Sequence, residues 1–492
     1  MQKPQKEIDV DQEFVPKSQY DELEFKYKKL LYEVKDLKRM IFGSKSERFI
    51  PSNQEEHIQT GLFAPENLPE SESKEEIENE VIGYHRKKKD KKLPKREKIS
   101  DLIPRVEEII EPNLDFAHAD LIGKKITEVL EYKPGKLFVR QIVRPQYKVK
   151  EKIVIADLPS LPLPKSNAGS SLLAHILVSK FVDHLPLYRQ VQQFKRQNLF
   201  VNNSTVNNWT NKSIRLLVPL YELLKKQTLE TDYIQVDESP IEVQDEKKKE
   251  KLHKGYMWVF RNPLNNLVFF NYNSSRKGEV VETILKYFQG ALQTDAYKGY
   301  LKLASNANIT SLACMAHVRR KFDKAKENDL ERAEFALLKF QELYAIERNA
   351  KEESPDKRYE LRQKLAKPIL EEFAIWLKDN KASVTPKSKI GEAINYTINL
   401  WQSLNNYLLD GRYEIDNNKI ENTIRPLALG RKNYLFAGSH DAAQNIAMMY
   451  SFFATCKVND TNPLEWLTYV FNNILDCKTS QLHKLLPNNW SK

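Results

Sequence analysis

The stretch "DYIQVDESPIEV", residues 232–243, limits what this chain can fold into more than any other. Its apolar residues alternate with others at the period of a strand, yet Asp237 stands at its middle, a costly place for charge if the strand is central in a sheet. "KGYMWVFRNPLNNLVFFNYN" supplies two further strands joined by an Asn-Pro turn, and "GEVVETILKYF" reads as a helix. "GALQTDAYKGY" and "ITSLACMAHVRRKF" add two more strands with helices behind them. The predicted order is three antiparallel strands, helix, strand, helix, strand.

That order is the order of a ribonuclease-H-like α/β domain. Asp295, in "LQTDAY", repeats the anomaly of Asp237 at the end of a later strand. A buried aspartate is costly unless paired or bound to metal, so two on neighbouring strands suggest a shared cation. Taken singly, each could instead cap a turn or pair with a lysine.

A third carboxylate comes from "YEIDNNKIENTIRPLALGRKNYLFAG", residues 413–438. Asparagine disfavours helix, so its density here points beyond solubility. Asp416 is placed as the helix N-cap, with Glu414 ahead of the helix. Asn418, Glu421 and Arg425 then share one face at i, i+3 and i+7, which makes Glu421 the ligand candidate and Asn418 and Arg425 phosphate contacts. The bland alternative is a solvated Glu421 paired with Arg425.

The rest of the chain frames this domain. "LEFKYKKLLYEVKDLKRMIFG" carries a heptad seam, read as a coiled-coil helix over 15–45 that either dimerises or packs on its own chain. Residues 46–100 form a charged linker, acidic and then basic, and 101–158 a small β module. Residues 165–228 read as three helices of a helix-turn-helix region, the third opening on a Ser204 or Thr205 cap, with Asn207, Asn208, Asn211 and Lys212 toward DNA. The catalytic domain spans 230–440, with an all-helical insertion over 325–410 whose helices open at Ser354-Pro355 and Thr385-Pro386. A helical tail occupies 441–492.

Charge agrees with a polyanionic partner: 78 Lys and Arg stand against 67 Asp and Glu. His317, Arg319, Arg320 and Lys321 in "HVRRKF", with Arg431 and Lys432 in "RPLALGRKN", are candidate phosphate contacts. The cysteines, Cys314, Cys456 and Cys477, form no disulfide framework and suit a reducing cytosol. Cys314 and His317 have C-x-x-H spacing, but no second pair accompanies them, so no zinc is expected. No apolar run is long enough for a membrane span.

"VDES", "QTDAYKGY", "CMAHVRRKF" and "IDNNKIENTIRPLALGRKNYLFAGS", in that order, resemble the successive motifs of the DDE transposases of the insertion sequence 66 family. The resemblance extends to "LKRMIFGSKSER", to "LPLYRQ" and to "YSFFATCKVNDTNPLEWLTYV", and so covers nearly the whole chain. It implies a bacterial DNA transposase that nicks element ends and joins the freed 3′-hydroxyl to target DNA. It implies Asp237, Asp295 and Glu421 as catalytic residues and as ligands of two magnesium or manganese ions. Double-stranded DNA is the implied partner, with a homo-oligomer on it, room for accessory transposition proteins, and a cytoplasmic, nucleoid-associated location. In many relatives the β module resembles a zinc unit with paired cysteines; residues 1–313 here contain none, so zinc is not carried over although the scaffold can persist. Two alternatives remain open: a catalytically inactive transposase-derived DNA-binding protein, and a ribonuclease-H-like nuclease that does not join strands.

Overall fold

The computed structural model describes residues 160–490 apart from 165, 246–250 and 296–297, together with 146–149, 152–155 and a few isolated positions before them. The heptad helix, the charged linker and most of the β module lie outside the described residues. Of that module, strands β1 (Gln146–Val149) and β2 (Lys152–Ile155) pair antiparallel, with Val149 opposite Lys152.

Within residues 160–232, four helices precede the main sheet: α1 (Ser170–Phe181), α2 (Leu187–Arg196), α3 (Asn203–Leu216) and α4 (Val218–Leu229). The sequence reading joined the last two. Pro219 divides them, because a proline has no N–H for a continuing helix and suits the first turn of a new one. Helix α3 also starts earlier than expected, with Asn202 as N-cap and no side-chain capping bond from Ser204 or Thr205.

The sheet follows. β3 (Tyr233–Gln244), β4 (Leu252–Asn262) and β5 (Leu267–Asn273) are antiparallel neighbours, α5 (Glu279–Ile284) crosses, and β6 (Gly290–Thr294) returns parallel to β3. After the single turn α6 (Leu301–Ala304), β7 (Ile309–Ala313) extends the parallel side, giving the order β5-β4-β3-β6-β7. Strand β3 is therefore central, as Asp237 required. The Asn-Pro turn forms as read: the Asn262 side chain accepts from the amides of Leu264 and Asn265 at 3.0 and 3.2 Å, and Asn266 takes the left-handed φ of 50° that asparagine tolerates. Gly290 opens β6 at φ 126°, where an added Cβ would strike the Asp232 carbonyl.

Helix α7 (Met315–Ala325) leads into the insertion: α8 (Leu330–Asn349), α9 (Pro355–Leu361), a π turn at Arg362–Ala366, α10 (Lys367–Lys381), α11 (Lys389–Asn399) and α12 (Trp401–Asn405). Ser354 caps α9 through the Lys357 amide at 3.3 Å, as expected. Thr385-Pro386 does not cap; Ser388, in the turn that follows, holds the Gly391 amide at 3.1 Å. Aromatic packing of Phe322, Phe340 and Phe373 centres a second core that the insertion shares with α7.

Helices α13 (Asn418–Tyr434), α14 (His440–Val458) and α15 (Pro463–Asn473) follow, and a 3-10 segment at Thr479–Leu485 comes after them. The main core joins residues of α1, α4, the sheet, α14 and α15, so the helical region before the sheet and the tail after it share one core with it. Thr455 and Ser451 of α14 bond the backbone amides of Val268 and Phe270 on β5, satisfying an edge that would otherwise present unpaired groups.

Candidate active site

Strands β3 and β6 are parallel with Gln235 opposite Gln293, and the same register carried two residues further sets Asp237 beside Asp295. With a side-chain period of two, both aspartates share a sheet face with those glutamines. Both are half-buried. Burial pushes the Asp237 carboxyl well above its ordinary value, and the negative charges of Asp295, Glu238 and Glu421 push it the same way.

Glu421 reaches this region because α13 is tied to β3 at both ends. Ahead of the helix, the Glu414 amide donates to the Tyr233 hydroxyl at 3.0 Å and the Gln293 side chain donates to the Glu414 carbonyl at 2.8 Å. Beyond it, Ala437 exchanges backbone bonds of 2.8 Å with Glu242 and Gln244, the far end of β3. A buried layer supports the near tie: Tyr233 donates to the Gln293 side-chain oxygen at 2.6 Å, Gln235 to the same oxygen at 2.8 Å, and Arg261 to the Gln235 oxygen at 2.8 Å. These polar residues were not singled out from sequence; two glutamines in apolar strands, each two positions before a suspect aspartate, were the available signal.

The Glu421 carboxylate is held by Arg320 of α7, whose guanidinium donates to both oxygens at 2.8 and 3.2 Å. Arg320 also approaches His317 Nε2 at 3.3 Å, which itself lies 3.8 Å from Glu421. Burial, and then Arg320, lower the His317 pKa. Cys314, His317 and Glu421 offer ligand atoms within 4.8 Å of one another; among the described residues no other three such side chains converge as tightly, so Asp237, Asp295 and Glu421 stand further apart. Burial pushes the Cys314 thiol up to about 12, and its sulfur accepts from the Asn417 amide at 3.2 Å.

The helix start departs from the sequence reading by one residue. Asn417 is the N-cap position and its buried side chain makes no bond, while Asp416 accepts from the Asn418 amide at 3.0 Å, from the Asn418 side chain at 2.6 Å and from Tyr344 at 2.7 Å. Asp416 is thus not the N-cap, although its oxygen is spent on a backbone amide as expected; its bond to Tyr344 of the insertion was not foreseen. Glu414 pairs with Lys419.

The other candidates divide. Asn207, Asn208, Asn211 and Lys212 are all exposed on the outer face of α3. Arg319 is half-buried, and Lys321 lies 4.6 Å over the Tyr396 ring. Asn418, Arg425 and Lys432 are exposed, whereas Arg431 turns back to donate to the Pro240 carbonyl on β3. Glu238, adjacent to Asp237, went unremarked in the sequence. Its side chain is 3% exposed, receives Arg276 at 2.6 Å and Tyr300 at 2.6 Å, and its pKa is raised by burial.

Comparison with known proteins places this arrangement. The family model described as "Transposase IS66 family" matches residues 165–445, "IS66 C-terminal element" matches 451–488, and "Transposase C of IS166 homeodomain" matches 29–107, across the heptad and the charged stretch. Relatives from Sinorhizobium fredii (strain NBRC 101917 / NGR234) include uncharacterized protein y4hP, 30% identical over 82% of this chain and 78% of its own length. Uncharacterized protein y4qI of the same organism is 31% identical over 93% of this chain and 88% of its own. No solved structure matches. No helix among the described residues is long and apolar enough to cross a membrane. With its main α/β region and its C-terminal helices both matched in order, the chain belongs to the IS66 family of transposases.

Proposed function

We propose that the chain is a DDE transposase of ribonuclease-H-like fold that cleaves phosphodiester bonds at the ends of its element and transfers the freed strand to target DNA. Asp237, Asp295 and Glu421 are the catalytic carboxylates. The observation that carries this reading is the fastening of α13 to both ends of β3, which brings Glu421 within electrostatic reach of an Asp237 already crowded by Asp295. The five-strand order and the family match support it.

Membership of the family implies use of a divalent metal. Half-buried carboxylates whose charges disfavour one another fit a hard cation with oxygen ligands, such as magnesium or manganese. Bound there, a pair of such ions supplies activation of a water or 3′-hydroxyl and charge neutralisation at the leaving oxygen. Asp237 and Asp295 hold the strand side of the site and Glu421 closes it from the helix. Arg320 orients Glu421 and keeps its charge compensated until a phosphate competes for the guanidinium. Arg319, Lys321 and Arg425 position the DNA backbone, and the exposed face of α3 engages duplex.

The test is purified protein with candidate element ends and manganese, scoring nicking and joining separately. Glu421→Gln should abolish both while DNA binding stays within about threefold, and Glu414→Gln should be mild because its anchoring is through the backbone. Near-normal joining by the Glu421 variant would sink the assignment. Nicking without joining in the wild type would favour the nuclease alternative instead.

A further inference from the structure

On α13, away from the face that carries Glu421, lies a cavity of about 630 Å³ bounded by the end of α1, by α13 and by α14. That volume is within the range of about 300–1,000 Å³ typical of small-molecule sites. Phe181, Tyr450, Phe453 and Pro426 give it apolar walls. Its charged lining is Lys457, Arg261 and Lys419, the last paired with Glu414, and His184, Tyr450 and Cys456 are its other titratable groups, with no carboxylate among the described residues that line it. An apolar cavity with an exclusively basic complement suits a flat ring bearing an anionic group.

Two further features point to a ligand with hydrogen-bonding edges. Pro426 lies inside α13, so it gives no N–H to the carbonyl of Asn422, and both residues line the cavity. The exposed Asn422 side chain stands at the same place with one acceptor and two donors. His184, in the left-handed region at φ 55°, closes a wall of the cavity with its Nδ1 packed toward Gly430. Arg261 connects the cavity to the carboxylates, since it lines the one and donates to Gln235, two residues before Asp237.

We propose that this cavity receives one unstacked nucleotide of the DNA strand that passes the carboxylates. The base would enter among the aromatic walls, with its edge at Asn422 and its phosphate at the exposed Lys457. Extrusion from a duplex costs a few kcal/mol, and stacking on aromatic side chains with phosphate neutralisation offsets it. The inference rests on the chain acting on DNA, but not on Glu421 being catalytic.

The experiment uses the full chain with calcium in place of manganese and a single-stranded oligonucleotide carrying one 2-aminopurine. Fluorescence should change about twofold or more on saturation, as stacking on Tyr450 or Phe453 alters the probe. Asn422→Trp, which fills the mouth from an exposed position, should abolish that change and weaken binding about tenfold. Lys457→Gln should weaken binding about threefold while the change at saturation persists. A free 2-aminopurine nucleoside monophosphate should bind far more weakly than the oligonucleotide. An unaltered signal with Asn422→Trp overturns the site, and equal affinity for the free nucleotide overturns the strand as its occupant. Glu421→Gln should keep the signal; if that variant cleaves normally, the catalytic assignment fails while the cavity stands.

Discussion

At Asp237, burial and the charge of Asp295 act in the same direction, favouring the protonated carboxyl in the folded chain. The sign of the consequence follows from linkage. A carboxyl raised above its unfolded value, near 3.8, contributes stability that is complete below that value and is lost as pH rises through the folded one. At neutral pH, where the carboxyl of the unfolded chain is ionised, this group therefore works against folding in the metal-free protein. Asp237→Asn should raise the metal-free Tm at pH 7.5 by a few degrees, on a scale of about 2–4 °C per kcal/mol for a domain of this size. The difference should shrink as pH falls toward 4, and added manganese should raise the Tm of the wild type but not of the variant. Thermal scans across pH check this, and a Tm gain independent of pH would show that charge is not its cause.

At the scale of elements, the insertion anchors the segment that leads to Glu421. Arg362, in the π turn between α9 and α10, is 1% exposed and holds Glu347 with bonds of 2.7 and 2.8 Å. It also donates to the carbonyls of Tyr407, Asp410 and Tyr413, fixing the chain just before Glu414. Removing one partner of a buried pair leaves the other uncompensated, at a cost of about 3–5 kcal/mol. Arg362→Met should lower the Tm accordingly and, at temperatures where the variant is folded, reduce cleavage at least about tenfold through a displaced α13. DNA binding by α3 should persist. Equal losses of binding and cleavage would mean general unfolding instead.

For the whole molecule, the described residues combine an exposed polar helix with a carboxylate site, and under the proposed function the two engage DNA by different physics. Lys212, exposed on α3, is suited to a phosphate. Lys212→Ala should weaken binding of all duplexes alike and reduce the slope of log affinity against log salt by about one. Asn208→Ala should leave that slope unchanged and alter preference among sequences, a loss of about 1–3 kcal/mol for the preferred base if the amide reads an edge. Fluorescence anisotropy over a salt series separates the two outcomes. An unchanged slope for Lys212→Ala would remove α3 from the phosphate interface.

Much of this was legible in the residues themselves. The strand periods, the Asn-Pro turn, the Ser354 cap and the charge of Asp237 within an apolar strand are local signals, and each came out in the fold where it was read. The break between α3 and α4 was equally local and was missed because helical periodicity runs across Pro219. What required the tertiary structure was partnership. Arg320 and Glu421 are 101 residues apart, and their ion pair stands where the bland alternative had set Arg425, one turn along the same helix face. The tie of Glu414 to Tyr233 spans 181 residues, and the bond from Gln293 to Glu414 spans 121. Periodicity reports which face of an element is buried; it carries nothing about which distant group will lie opposite. The amino-acid sequence alone therefore determined which side chains are out of place in their elements, and the packing of α13 along β3 decided which of them meet.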